Sequence, residues 1–120
     1  MPYMLLILEP RGQRGERSED EGRALYQSML DFGAGLRARG QLIAAESLRS
    51  DGDGVRVQVR GGRRSLVDGP FAEAKEMVGG FFLVDCATRD EAVAIAAECP
   101  AAQWATVEVR GHGPCYEDHG

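Results

Sequence analysis

The sequence predicts one α+β domain from three observations: its length, two nearly unbroken apolar segments bounded by turn residues, and two helically spaced segments that each begin with a capping signature. A chain of 120 residues is the usual size of one domain, and 43% hydrophobic with 28% charged residues is a globular balance. Folding at this length buries roughly two-thirds of the surface exposed by the unfolded chain, enough for a core without disulfides. The expected domain spans residues 1–110, followed by a tail at 111–120 that contains Gly and Pro.

Tyr3 to Leu8 is continuously apolar, the pattern of a central strand covered on both faces. Pro10 to Arg17 is a polar, Gly- and Arg-rich loop, and Ser18 with Glu21 forms a capping-box signature. The helix that follows carries Leu25, Met29, Phe32 and Leu36 on one stripe. Acidic residues in its first turn and Arg37 and Arg39 in its last complement the macrodipole, and Gly40 stops it. Gly33 and Gly35 each weaken the helix by ~1 kcal/mol relative to alanine. Either they permit close packing against the sheet or the helix is locally irregular.

Leu42 to Leu48 reads as a second strand and Asp51 to Gly54 as a turn cluster. Val55, Val57 and Val59 then alternate with Arg56, Gln58 and Arg60, as in a half-exposed antiparallel strand. Gly61-Gly62 supplies the positive φ angles of a tight hairpin, and Arg63 to Val67 is the returning strand. Asp68-Gly69-Pro70-Phe71 breaks the pattern, and Ala72 to Met77 reads as a short helical turn. Gly79-Gly80 introduces a second buried strand, Phe81 to Cys86. Thr88 and Glu91 repeat the capping spacing before a helix whose Ala92, Val93, Ala96 and Ala97 face the core and which Pro100 ends. Trp104 to Arg110 closes the fold, with Ala105, Val107 and Val109 inward.

The order β-α-β, inserted hairpin, β-α-β is that of the ferredoxin-like split βαβ fold. Both helices of that fold cover one face of the sheet, yet Tyr3 to Leu8 and Phe81 to Val84 are apolar on both. An uncovered face would exceed the apolar patch usually tolerated on a monomer, so the economical cover is a second copy. The expectation is a homodimer, a dimeric α+β barrel with a cavity between the two sheets.

A net charge of -5 argues against a general nucleic-acid binder, which needs a clustered positive surface. The N-terminal apolar run stops at Glu9, far short of the ~20 residues of a membrane span, and has no basic leader. Cys86, Cys99 and Cys115 are odd in number and lack a strong metal or redox spacing, which fits a reducing, cytoplasmic setting. Cys86 and Cys99 read as small buried hydrophobes. No Rossmann fingerprint, P-loop or serine nucleophile elbow is present, and no cofactor is expected.

The segments Tyr3-Met4-Leu5-Leu6-Ile7, Asp68-Gly69-Pro70-Phe71-Ala72-Glu73-Ala74-Lys75-Glu76, Gly79-Gly80-Phe81-Phe82-Leu83-Val84-Asp85 and Val107-Glu108-Val109-Arg110 resemble the DGPF-domain branch of the YCII-related proteins. The resemblance covers about residues 3 to 110. It implies a ferredoxin-like fold forming dimeric α+β barrels, whose barrel relatives include cofactor-independent isomerases, oxygenases and lyases. It also implies, by family analogy, a sigma factor as a protein partner, because related domains occur beside or fused to extracytoplasmic-function sigma factors. A histidine-aspartate pair serves as the candidate active site in members of the YCII type. Here no histidine precedes His112, so that pair does not carry over.

Asp68 is the first candidate for a catalytic carboxylate, since it ends a strand, opens a sharp loop and would face the inter-sheet cavity as a general base. The competing reading is structural, because Asp, Gly and Pro are the residues turns select. Gly69, Pro70 and Phe71 would border a ligand there, although Phe71 is more readily a packed anchor of the loop. Lys75 is the only lysine against thirteen arginines and could lose its proton or form a Schiff base, but between Glu73 and Glu76 it also reads as a solvated ion pair. Glu46 sits among Ala44, Ala45 and Leu48 and would divide acid and base roles with Asp68 if it pointed inward. Tyr3 would donate a hydrogen bond to a ligand, or else lie at the amphipathic edge of the core. In the tail, His112, Cys115 and His119 lack a strong zinc spacing, so no metal site is expected.

Two functions follow. One is a small cofactor-independent enzyme, or a protein that binds a small molecule, using an inter-sheet pocket near Asp68. The alternative is a regulatory or interaction module, for example a sigma-factor partner, without catalysis.

Overall fold

Side-chain parity in the first strand decides which way the sheet faces. The computed structural model describes residues 2–116. In strand β1 (Pro2–Pro10), Leu5, Ile7 and Glu9 are buried while Met4, Leu6 and Leu8 on the other face are only half-buried. Helix α1 (Glu19–Ala38), strand β2 (Leu42–Ser47), the hairpin β3 (Val55–Arg60) and β4 (Arg63–Asp68), strand β5 (Glu76–Asp85), helix α2 (Arg89–Glu98) and strand β6 (Thr106–Gly111) follow, with short 3-10 turns at 13–16, 51–53 and 100–103.

Four strands form one antiparallel sheet in the order β2-β5-β1-β6, and β3 pairs only with β4. The two strands that are apolar on both faces, β1 and β5, occupy the centre, as expected of segments with a neighbour on each side. This is an α+β fold compatible with the ferredoxin-like arrangement. Among the described residues no helix is long and apolar enough to cross a membrane.

Helix α1 is closed at both ends by the predicted chemistry. Ser18 Oγ accepts from the Glu21 amide at 3.1 Å, and Glu21 accepts from the Ser18 amide at 2.9 Å. Gly40, at φ 71°, lets its own amide reach the Arg37 carbonyl (3.0 Å) and lets the Gln41 amide reach the Leu36 carbonyl (2.9 Å), a Schellman closure. The helix is regular throughout. A methyl added to Gly33 would just touch Phe82 at 3.4 Å, whereas Gly35 faces open space, so close packing is the reason for one glycine only.

The core lies between the helices and one face of the sheet. Leu5, Leu36, Val84, Ala92 and Ala101 are wholly buried, and Phe32 meets Phe82 edge to face at 5.1 Å. Each large side chain withdrawn from water in this way contributes about 2 kcal/mol.

Four local expectations are corrected. Residues 72–77 form no helix: the Ala74 amide closes a turn onto the Phe71 carbonyl, and Arg11 takes the next carbonyls, of Ala74 through Nε (2.7 Å) and of Lys75 through its amide (3.0 Å). Gly79 and Gly80 lie inside β5 rather than before it, because the space a Cβ would need is filled by the Glu9 carboxylate at Gly79 and by the Glu46 carbonyl at Gly80. The β1–β5 register slips between Ile7 and Leu8, which leaves Gly79 as the extra residue of a bulge. On α2 the buried residues are Ala92, Ile95 and Ala96, while Val93 and Ala97 are exposed, since Ile95 offers the larger apolar surface to the core. The hairpin, expected to be half-exposed, is exposed along both strands.

A cleft between the first helix and the sheet

Glu9 is the only buried charged side chain among the described residues. An ionised carboxylate is tolerated there only with a partner, because burial removes its hydration. Arg14, five residues on, supplies it from the turn at 13–16: Nε donates to Oε1 at 2.5 Å and Nη2 to Oε2 at 3.1 Å. The same Nη2 is 3.5 Å from the Gly79 carbonyl oxygen, so the pair is also tied to the β5 bulge. The Glu9 side chain is 4% exposed and that of Arg14 34%, which leaves the guanidinium as the accessible half.

That guanidinium opens into a cleft of about 860 Å³ between α1 and the sheet. The helix contributes Leu25, Tyr26, Met29, Leu30 and Arg37; the sheet contributes Ile7, Leu42, Ala45 and Phe82. At the end near Glu9 stand Arg14, Arg17 and Trp104, with the Arg17 guanidinium 4.7 Å from the centre of the indole ring. Gln13 donates to the Trp104 carbonyl at 2.7 Å, while Gln13 Oε1 and Trp104 Nε1 are buried without a protein partner. The cleft thus pairs cationic and hydrogen-bonding groups at one end with apolar walls along its length, the lining typical of a site for a small amphipathic molecule.

The Asp68–Phe71 segment lies elsewhere. Asp68 ends β4 opposite Val55 and is exposed. The Gly69 amide donates to the Gly54 carbonyl at 2.8 Å, and a Cβ on Gly69 would run into the Asp51 carbonyl oxygen. The Gly69-Pro70 bond is cis. Phe71 is buried, with the Arg56 guanidinium 3.7 Å above its ring. Asp51 gathers the segment: its carboxylate accepts from the Phe71 amide (3.3 Å) and from both terminal nitrogens of Arg11. The Arg11 guanidinium, and secondarily the Phe71 amide, hold the Asp51 carboxyl below the usual carboxylate range against an opposing loss of solvation. The loop is a knot that joins the start and end of the hairpin to the end of β1.

Of the other candidates, Glu46 lines the cleft from β2, whereas Asp68, Gly69, Pro70, Phe71 and Lys75 are not among its walls. Lys75 is exposed and contributes only its carbonyl to the knot. Tyr3 is half-buried and packs on the core opposite Val84 and Gly111. Burial pushes the Cys86 and Cys99 thiols up, away from reactive thiolates. Among the described residues no group of three or more His, Cys, Asp or Glu is placed to hold a metal ion. His119 lies outside the described residues.

Sequence reasoning missed Glu9, Arg14 and Trp104 as site residues, and Arg11 and Asp51 as the knot. Glu9 had a signal: it continues the Leu5, Ile7 parity of a buried face. Arg11 and Asp51 are forty positions apart and had none.

Over 32 residues the chain is 56% identical to an uncharacterised protein of Rhizobium meliloti (strain 1021), a match covering 27% of this chain and 26% of that protein. The chain therefore aligns with about a quarter of the length of the curated relative it matches. A family model, the YCII-related domain, matches residues 1–111, nearly the whole chain, and this protein belongs to the YCII-related family.

Proposed function

We propose that this protein is a homodimer that binds a small organic acid in the cleft between α1 and the sheet, with the chemistry open to cofactor-independent proton transfer. The observation that carries this reading is the buried Glu9 carboxylate in the cleft wall, presented through a half-accessible Arg14 beside Arg17 and Trp104. Guanidinium groups recognise carboxylates through paired donors, and the apolar walls suit a hydrocarbon or aromatic body. When a ligand carboxylate draws Arg14 toward itself, Glu9 is left able to accept a proton from the bound molecule. This places the general base at Glu9. A pocket at Asp68 would need walls from a second chain, because the residue is exposed on the hairpin.

The dimer reading rests on the helix-free face of the sheet. Met4, Leu6, Leu8, Ala44, Phe81 and Leu83 share that face by cross-strand register, and both helices lie on the other side. A hollow of about 380 Å³ on this face, lined by Met4, Leu6, Arg110 and His112, would be roofed by a second copy.

The test is a titration of the purified protein with short-chain and aromatic carboxylic acids and their lactones, followed by amide NMR. Shifts confined to Arg14, Gly79, Gly80 and α1, weakened by about tenfold or more in Arg17→Ala, support the site. Saturating acids that move no cleft amide would remove it.

A further inference from the structure

The hairpin β3–β4 cannot be explained by the chain that carries it. Two-stranded hairpins are marginal in water unless a face is covered, yet among the described residues this one pairs with no third strand and is exposed throughout. Val55, Val57 and Val59 share one face with Leu66, each more than half open to solvent. The radius of gyration is 16.2 Å, against about 13.5 Å for a compact chain of this length, as a projecting arm requires.

We propose that β3–β4 is an arm that packs its Val55, Val57, Val59 and Leu66 face across the open sheet face of a second copy of this chain, with the Asp68–Phe71 knot as its elbow. Charge favours a second copy as occupant. Residues 55–68 carry four arginines and one aspartate, a net +3 on a chain of net -5, so the rest of the chain carries -8. A cationic arm is drawn to the anionic body of its twin. The elbow supplies the direction. Arg11 and Asp51 clamp its base, Arg56 covers Phe71, and Gly69 admits the Asp51 carbonyl, so the arm leaves the body at a set angle. A cationic apolar ribbon held out from its own body is suited to reach another.

The inference rests on the dimer reading above, and the experiment separates the two. Sedimentation of the full chain is compared with Val57→Asp/Leu66→Asp and with the charge reversal Arg60→Glu/Arg63→Glu/Arg64→Glu, each checked for native circular dichroism. Both sets of positions face solvent in the single chain, so the fold should be unaffected. The expected result is a wild-type dimer weakened by about tenfold or more in both variants. A wild-type dimer with unchanged variants overturns the arm and leaves the dimer standing; a monomeric wild type overturns both. As a second readout, a spin label at Gln58→Cys in a Cys115→Ser background, mixed with isotope-labelled unmodified chains, should broaden Leu6 and Phe81 amides of the other copy. A dimer without such broadening also removes the arm.

Discussion

Two pairs of strands in this molecule carry apolar residues at alternate positions and meet opposite fates, although β1 and β5 are apolar on both faces and β3 on only one. In β1 and β5 the alternate positions Leu5, Ile7, Phe82 and Val84 are buried beneath two helices. In β3 and β4 the alternate positions Val55, Val57, Val59 and Leu66 lie open to solvent. An apolar face alone therefore does not specify burial; burial needs a covering layer, which α1 and α2 supply to one sheet and nothing among the described residues supplies to the other. Each region also has its own arginine–carboxylate pair. Arg14–Glu9 buries its carboxylate more completely, beside the cleft, and Arg11–Asp51 clamps the base of the arm.

The largest expected difference between these regions lies in the buried pair. Arg14→Ala leaves the Glu9 carboxylate inside without its partner and should lower unfolding stability by about 3 kcal/mol in urea titrations. A loss below ~1 kcal/mol would mean that Glu9 finds water once Arg14 is gone. Next, Val84→Ala, at 0% exposure, should cost about 2 kcal/mol, while Val57→Ala, at 57%, should change monomer stability by less than about 0.5 kcal/mol. Equal costs would show that the arm is covered within its own chain.

At the elbow, Gly69→Ala forces a methyl against the Asp51 carbonyl and should cost about 1–2 kcal/mol, with amide shifts concentrated in 51–56 and 69–74. An unperturbed spectrum would separate the motif from the turn at 51–54. The smallest effect is one of pH. The Asp51 carboxyl is lowered chiefly by Arg11, so its contribution is complete above the unfolded carboxylate value and is lost only as pH falls through the lowered one. By carbon-detected NMR, Asp51 should protonate at lower pH than in Arg11→Ala. Identical titrations would remove Arg11 as the cause.

Much of the body was legible because its signals are local. Ser18 and Glu21, the stripe Leu25–Leu36 and the stop at Gly40 act over one or two helical turns, and each appears where the spacing places it. The site was less legible. Glu46 lines the cleft, but the buried ion pair in its wall is Glu9 with Arg14, and the distinctive motif around Asp68 stands on the hairpin. That motif does its visible work through contacts no local window contains: Asp51 to Phe71 across twenty positions, Arg11 to Ala74 across sixty-three. Val93 and Ala97 lie exposed against expectation for a related reason, since short helices of small residues have little amphipathic contrast to set their phase.

By itself, then, the sequence determined the elements, their order and the two central strands, because propensity, capping and hydrophobic period are short-range properties of the chain. Tertiary structure alone decided which arginine each carboxylate meets, which glycines lack room for a side chain, and that the hairpin stands apart from the body. Those outcomes depend on which distant groups compete for the same space and the same hydrogen bonds.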